Sequence, residues 1–128
     1  MRIKGLDHIV LTVSDIEATC AFYVGVLGMR REMFAEGRIA LTFGDQKFNL
    51  HEAGREFEPK ARRPLPGSQD FCLIVDDVRA AAARLRECNV EIIEGPGAKT
   101  GAKGPITSIY CRDPDGNLVE LAEYREGA

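Results

Sequence analysis

Four side chains in this sequence have the chemistry to hold a metal ion together: His8, His51, Asp70 and Glu120. Two imidazoles and two carboxylates are hard and borderline donors, a set that suits Zn²⁺, Ni²⁺, Mn²⁺ or Fe²⁺. No H-E-x-x-H motif and no C-x-x-C pair marks them, so local spacing does not single them out. Their place in a repeated pattern does. The chain has only two histidines, and both fall in that pattern.

The elements that must position them can be read from periodicity. His8 to Val13 alternates as a strand, with Ile9, Leu11 and Val13 on one face and His8, Val10 and Thr12 on the other. Ser14 and Glu17 then read as a capping box, with Ser14 as N-cap, opening a helix whose stripe is Ile16, Cys20, Tyr23, Val24 and Leu27. Gly28 suits the C-terminal cap. Strands follow around Arg30–Phe34, Arg38–Phe43 and Lys47–Glu52. Residues 55 to 67 are charged and proline-rich, the composition of a linker.

After that linker the order of elements returns. A strand through DFCLIV precedes a helix with Val78, Ala82 and Leu85 on one face, closed by Asn89. Then come a strand at Val90–Ile93, the glycine-rich loop GPGAKTGAKGP, a strand at Ile106–Cys111, the turn RDPDG and the strand NLVELAEY. This is an internal repeat. A shift of 62 residues lays His8 on Asp70; a shift of 69 lays His51 on Glu120. In each strand the donor residue lies opposite the strongly apolar face, which suits a helix, so the donors are expected to line a cavity. The expected fold is therefore α+β: two tandem β-α-β-β-β modules (about 4–54 and 68–125) in one domain, forming a curved mixed sheet around a metal-binding cavity.

Composition narrows the function. At 128 residues the chain is one domain's worth, and a net charge of −3 argues against a nucleic-acid surface. No apolar run approaches a membrane span, and MRIKGLDH has no signal-peptide pattern, which together with four widely spaced cysteines points to a reduced, cytoplasmic protein.

The motifs HIVLTVSDI, FYVGVLGM and RDPDGNLVEL, set in paired β-α-β-β-β modules, resemble the vicinal oxygen chelate superfamily. That superfamily includes glyoxalase I, fosfomycin-resistance thiol transferases, bleomycin-binding proteins and extradiol dioxygenases. More narrowly, NLHEAGREFEPKA and KTGAKGPITSIYCRDPDGNLVE resemble a glyoxalase-domain group with bacterial members labelled virulence proteins. The resemblance implies a divalent transition metal on His8, His51, Asp70 and Glu120, with a His and an acid exchanged relative to bacterial glyoxalase I. It also implies a homodimer, with His8 and His51 from one chain and Asp70 and Glu120 from the other.

The function expected is a metal-dependent, lactoylglutathione lyase-like lyase or isomerase. Its small substrate would chelate the metal through adjacent oxygens, as a thiol conjugate can, with Glu120 as catalytic base and GAKTGAKGP, bearing Lys99 and Lys103, closing over it. The alternatives are thiol transfer of the fosfomycin-resistance type and a non-catalytic module that binds a drug or metabolite.

Overall fold

A computed structural model describes residues 1–125 of the chain. They form two compact units, Met1–Gly67 and a second beginning at Ser68. Each holds a four-stranded mixed sheet and one helix, the α+β arrangement expected of tandem β-α-β-β-β modules.

The first unit contains strand β1 (His8–Val13), helix α1 (Ile16–Gly25), and strands β2 (Arg30–Phe34), β3 (Arg38–Phe43) and β4 (Gln46–Glu52), in the sheet order β1-β4-β3-β2. β1 and β4 run parallel with Ile9 opposite Phe48 and Leu11 opposite Leu50; β3 adds antiparallel with Ile39 opposite Leu50. These apolar residues share one face, and Leu11, Val13, Leu41, Leu50 and Tyr23 of α1 are almost wholly buried. Each such side chain contributes about 2 kcal/mol of burial free energy. Tyr23 meets Phe48 edge to face at 5.8 Å between ring centroids.

Helix α1 differs from the sequence expectation at its start. Asp15 is the N-cap, accepting from the Ala18 amide at 3.0 Å, one residue beyond Ser14. Thr19, Cys20, Phe22 and Tyr23 form its buried face, and Val24 is exposed. Beyond the helix Gly28 has φ +80°, the left-handed conformation that glycine adopts without strain.

The second unit contains β5 (Asp70–Ile74), α2 (Val78–Glu87), β6 (Glu94–Gly101), β7 (Gly104–Arg112) and β8 (Leu118–Tyr124), in the sheet order β5-β8-β7-β6. Asp77 caps α2 through the Arg79 and Ala80 amides, and Glu123 accepts from the Val78 amide at 2.9 Å. Val78, Ala82 and Leu85 are its buried stripe, as the spacing predicts, and Asn89 at φ +59° ends it.

The glycine-rich stretch is the main departure from expectation. Residues 94 to 101 are a strand, paired antiparallel with β7 and linked to it by a tight turn, whereas residues 90 to 93 are not strand. Cross-strand pairing orders this segment despite its lack of apolar alternation. Lys99 forms an ion pair with Glu94 at 2.8 Å, so the stretch is a hairpin arm. The cysteines are all free thiols, but Cys72 on β5 is exposed and does not belong to the core.

Candidate functional site

On the first unit, the sheet face turned away from the apolar layer carries the candidate donors. His8 begins β1, is exposed, and its Nδ1 lies 2.8 Å from Asp7 Oδ2. The carboxylate can only accept, so Nδ1 is the donor, and in the neutral imidazole Nε2 is the nitrogen with the free lone pair. A carboxylate behind one nitrogen and a lone pair on the other is how a metal-binding imidazole is oriented.

His51 is differently placed. In the parallel register His8 stands opposite Lys47, and His51 stands opposite Thr12, four positions further on. At 3.3 Å per residue the two histidines are about 13 Å apart along the strands, so the register does not bring them together. His51 is only 2% exposed, and its Nε2 lies 3.3 Å from an Arg38 guanidinium nitrogen. A guanidinium only donates, so Nε2 accepts and Nδ1 carries the proton. Burial first, and the Arg38 charge second, push this imidazole below its ordinary pKa. Phe57 packs its ring edge to face on His51 at 5.5 Å and over the Arg38 guanidinium at 4.5 Å. Three buried polar atoms on this face have no hydrogen-bond partner: His51 Nδ1, Arg38 Nε and Asn49 Oδ1.

On the second unit the corresponding face carries Glu120, Asp70 and Cys72. Glu120 is half-buried, and Ser108 donates its hydroxyl to Oε2 at 2.6 Å. Cys72 stands opposite Glu120 on β5, and Tyr110 opposite it on β7. Desolvation, with the Glu120 carboxylate adding to it, pushes the Cys72 thiol up to about 11; the same two causes raise Tyr110. Asp70 is exposed at the start of β5, opposite Leu118 and therefore diagonal to Glu120, about 8 Å away between Cα atoms. A pocket of about 510 Å³ bounded by Asp76, Thr107, Glu123 and Arg125 lies toward the other end of β5 and holds none of these donors.

The strand pairing corrects the repeat. Ile9 pairs with Phe48, and Phe71, its counterpart under the shift of 62, pairs with Val119. The last strands therefore superpose with a shift of 71 (119 minus 48), not 69. Glu120 answers to Asn49, and His51 answers to Ala122. His8 and Asn49 stand on the same diagonal across their strands as Asp70 and Glu120 do across theirs. Sequence alone sets His51 against Glu120 because histidine is the more conspicuous donor, whereas the register sets Asn49 there. The apolar-polar-apolar triplets Phe48-Asn49-Leu50 and Val119-Glu120-Leu121 carried the signal. Arg38 was not foreseen either; its link to His51 exists only once β3 and β4 pair. Among the described residues, no three His, Cys, Asp or Glu side chains stand together as a metal cluster.

The family model of the Glyoxalase/Bleomycin resistance protein/Dioxygenase superfamily matches residues 5–121, and the chain belongs to that superfamily. It is 50% identical over 127 residues to a glyoxalase domain-containing protein, RDO1, of Mycosarcoma maydis, covering 98% of this chain and 72% of the relative. It is 50% identical to virulence protein STM3117 of Salmonella typhimurium, over 97% of this chain and 87% of that one. The crystal structure of STM3117 superposes with a TM-score of 0.96, covering 98% of this chain and 100% of the other. An ethylmalonyl-CoA/methylmalonyl-CoA epimerase of Cereibacter sphaeroides is 30% identical, over 94% of this chain and 98% of its own length.

Proposed function

We propose that the protein is a metal-dependent lyase or isomerase that moves a proton at a carbon next to a carbonyl of a small, metal-chelating substrate. The observation that carries this reading is Glu120: a half-buried carboxylate, one oxygen fixed by Ser108 at 2.6 Å, on the sheet face turned away from α2. The epimerase relative supports it, since epimerisation next to a thioester is proton transfer of this kind.

The donors fit a divalent ion in part. His8 Nε2, the carboxylates of Asp70 and Glu120, and the unpartnered Asn49 Oδ1 are all suitable ligands. His51 fits less well, because Arg38 engages its one lone pair. Our donor set is therefore His8 and Asn49 of one chain with Asp70 and Glu120 of its partner in a homodimer, Asn49 standing in place of His51. When bound, the ion polarises the substrate carbonyl and so acidifies the neighbouring C–H. Glu120 takes that proton and returns it, while Ser108 holds the carboxylate in one orientation. A homodimer belongs to the same proposal, and sedimentation at twice the chain mass tests it.

The reaction is tested by solvent deuterium incorporation into 2-substituted malonyl thioesters and into hemithioacetals of 2-oxoaldehydes. Exchange by the metal-loaded protein, lost at least 100-fold in Glu120→Gln with metal largely retained, supports the proposal. Full exchange in that variant overturns Glu120 as the base. Absence of exchange with both substrate classes, in metal-loaded protein, overturns the lyase or isomerase reading.

A further inference from the structure

Three aspartates of this chain have clear structural tasks: Asp15 and Asp77 cap α1 and α2, and Asp113 holds the turn before β8. Asp7 has none among the described residues. It lies just outside β1, is 92% exposed, and its one partner there is His8, whose Nδ1 is 2.8 Å from Asp7 Oδ2. We infer that Asp7 is a positioning residue: it holds the proton of the neutral His8 imidazole on Nδ1 and so presents Nε2 to the metal. Its role toward the ion rests on the proposed function; the tautomer does not.

An imidazole binds a metal only through a nitrogen that carries no proton, so the tautomer decides which nitrogen is offered. In water a free histidine side chain favours the form with its proton on Nε2, the nitrogen further from the backbone. That form leaves the lone pair on Nδ1, close to the chain, and blocks the nitrogen with the longer reach. A carboxylate only accepts, so beside Nδ1 it draws the ring to the other form. Water competes for a bond this exposed. Its effect therefore belongs at the low end of the roughly ten- to hundredfold range of groups behind a metal-bound imidazole.

Two comparisons within the chain agree. His51 also offers its lone pair on Nε2, but that nitrogen faces the Arg38 guanidinium at 3.3 Å, so what His8 leaves open is taken in His51. Under the shift of 62, Asp7 falls on Gln69 and His8 on Asp70. Asp70 is a carboxylate and has no tautomer to select, and the residue before it is not acidic. The Gln69 amide is tied to Asn117 instead. The acid thus stands in the repeat copy whose donor is an imidazole.

The test reads the tautomer first and the metal second. Long-range ¹H–¹⁵N spectra of metal-free protein are recorded at about pH 8.5, where an ordinary imidazole is neutral. The chain has two histidines, so His51→Gln assigns the signals. Native His8 is expected mainly as the Nδ1–H form, moving toward the Nε2–H form in Asp7→Ala. Zn²⁺ titration of the same proteins by calorimetry then reads affinity, expected to weaken about tenfold in Asp7→Ala. A native His8 with its proton on Nε2, or a tautomer unchanged in Asp7→Ala, overturns the assignment. A changed tautomer with unchanged Zn²⁺ affinity overturns the role toward the ion. Native protein that takes up no Zn²⁺ refutes the metal reading itself, and the metal-free spectra tell that failure apart from a failure of Asp7.

Discussion

Replacing Asn117 by alanine removes two hydrogen bonds, one tying the final turn to the residue before the strand bearing Asp70 and one holding the turn together. Asn117 is 1% exposed; its Oδ1 accepts from the Gln69 amide at 2.8 Å, and its Nδ2 donates to Asp113 Oδ2 at 2.8 Å. Asp113 is also buried, and its other oxygen accepts from the Asp115 and Asn117 amides. Alanine leaves the Gln69 N–H, 48 residues away in sequence, without that acceptor, at about 1–2 kcal/mol. It also removes one charge-assisted bond from a buried carboxylate, worth about 1.5 kcal/mol where other donors remain. The sum is about 3 kcal/mol. With an m-value of about 2 kcal/mol/M the urea midpoint falls by about 1.5 M. Amide exchange supplies the local readout: Gln69 loses protection first, and Leu118, which donates to the Gln69 carbonyl, follows. Asn117→Asp keeps the acceptor for Gln69 but faces Asp113 with a like charge, so it is destabilised at least as much. A midpoint shift under about 0.5 M in Asn117→Ala, with Gln69 still protected, would show that these bonds do not hold the turn.

Further outcomes follow from single residues. Gly95 has φ +97°, and a Cβ there would be driven into the Ser108 carbonyl oxygen, so Gly95→Ala costs more than about 2 kcal/mol in urea unfolding. Gly97→Ala on the same strand, where a Cβ meets nothing within 4 Å, serves as its near-neutral control. Cys72, with a thiol pKa of about 11, should alkylate about tenfold faster per pH unit from pH 8 to 10; mass-spectrometric labelling that plateaus at pH 9 contradicts the environment described. His51, whose pKa lies below its ordinary 6.5, stays neutral in the fold while the unfolded chain takes up a proton. Its contribution is therefore complete above pH 6.5 and is lost as pH falls toward the folded value, by at most about 1.4 kcal/mol per unit. Urea unfolding of metal-free protein from pH 7.5 to 5 measures this, and His51→Gln should flatten the slope.

Much of this architecture was legible in the residues because it rests on local alternation and on a repeat. The strand from His8 to Val13 and the Val78, Ala82 and Leu85 stripe follow directly from periods of two and 3.6. Residues 94 to 101 carry no such pattern; pairing with β7 makes them a strand, and one strand's sequence does not contain its partner's register. The proposed donor set was not fully legible for the same reason. His8, Asp70 and Glu120 were visible as polar residues on otherwise apolar strands. Choosing between Asn49 and His51 required the β1–β4 and β5–β8 registers, since both residues lie on one face. The hydrogen bond from Arg38 that occupies His51 depends on a neighbour 13 residues away in sequence.

Elemental analysis of protein reconstituted with Zn²⁺, Ni²⁺ or Mn²⁺ and then freed of excess ion asks whether these side chains hold a metal, with His8→Ala, Asn49→Ala and His51→Gln in parallel. About one tightly bound ion per chain is expected, lost in His8→Ala, reduced at least tenfold in affinity in Asn49→Ala, and kept in His51→Gln. Native protein that retains no ion would contradict the metal reading, and loss in His51→Gln with full retention in Asn49→Ala would contradict the donor set.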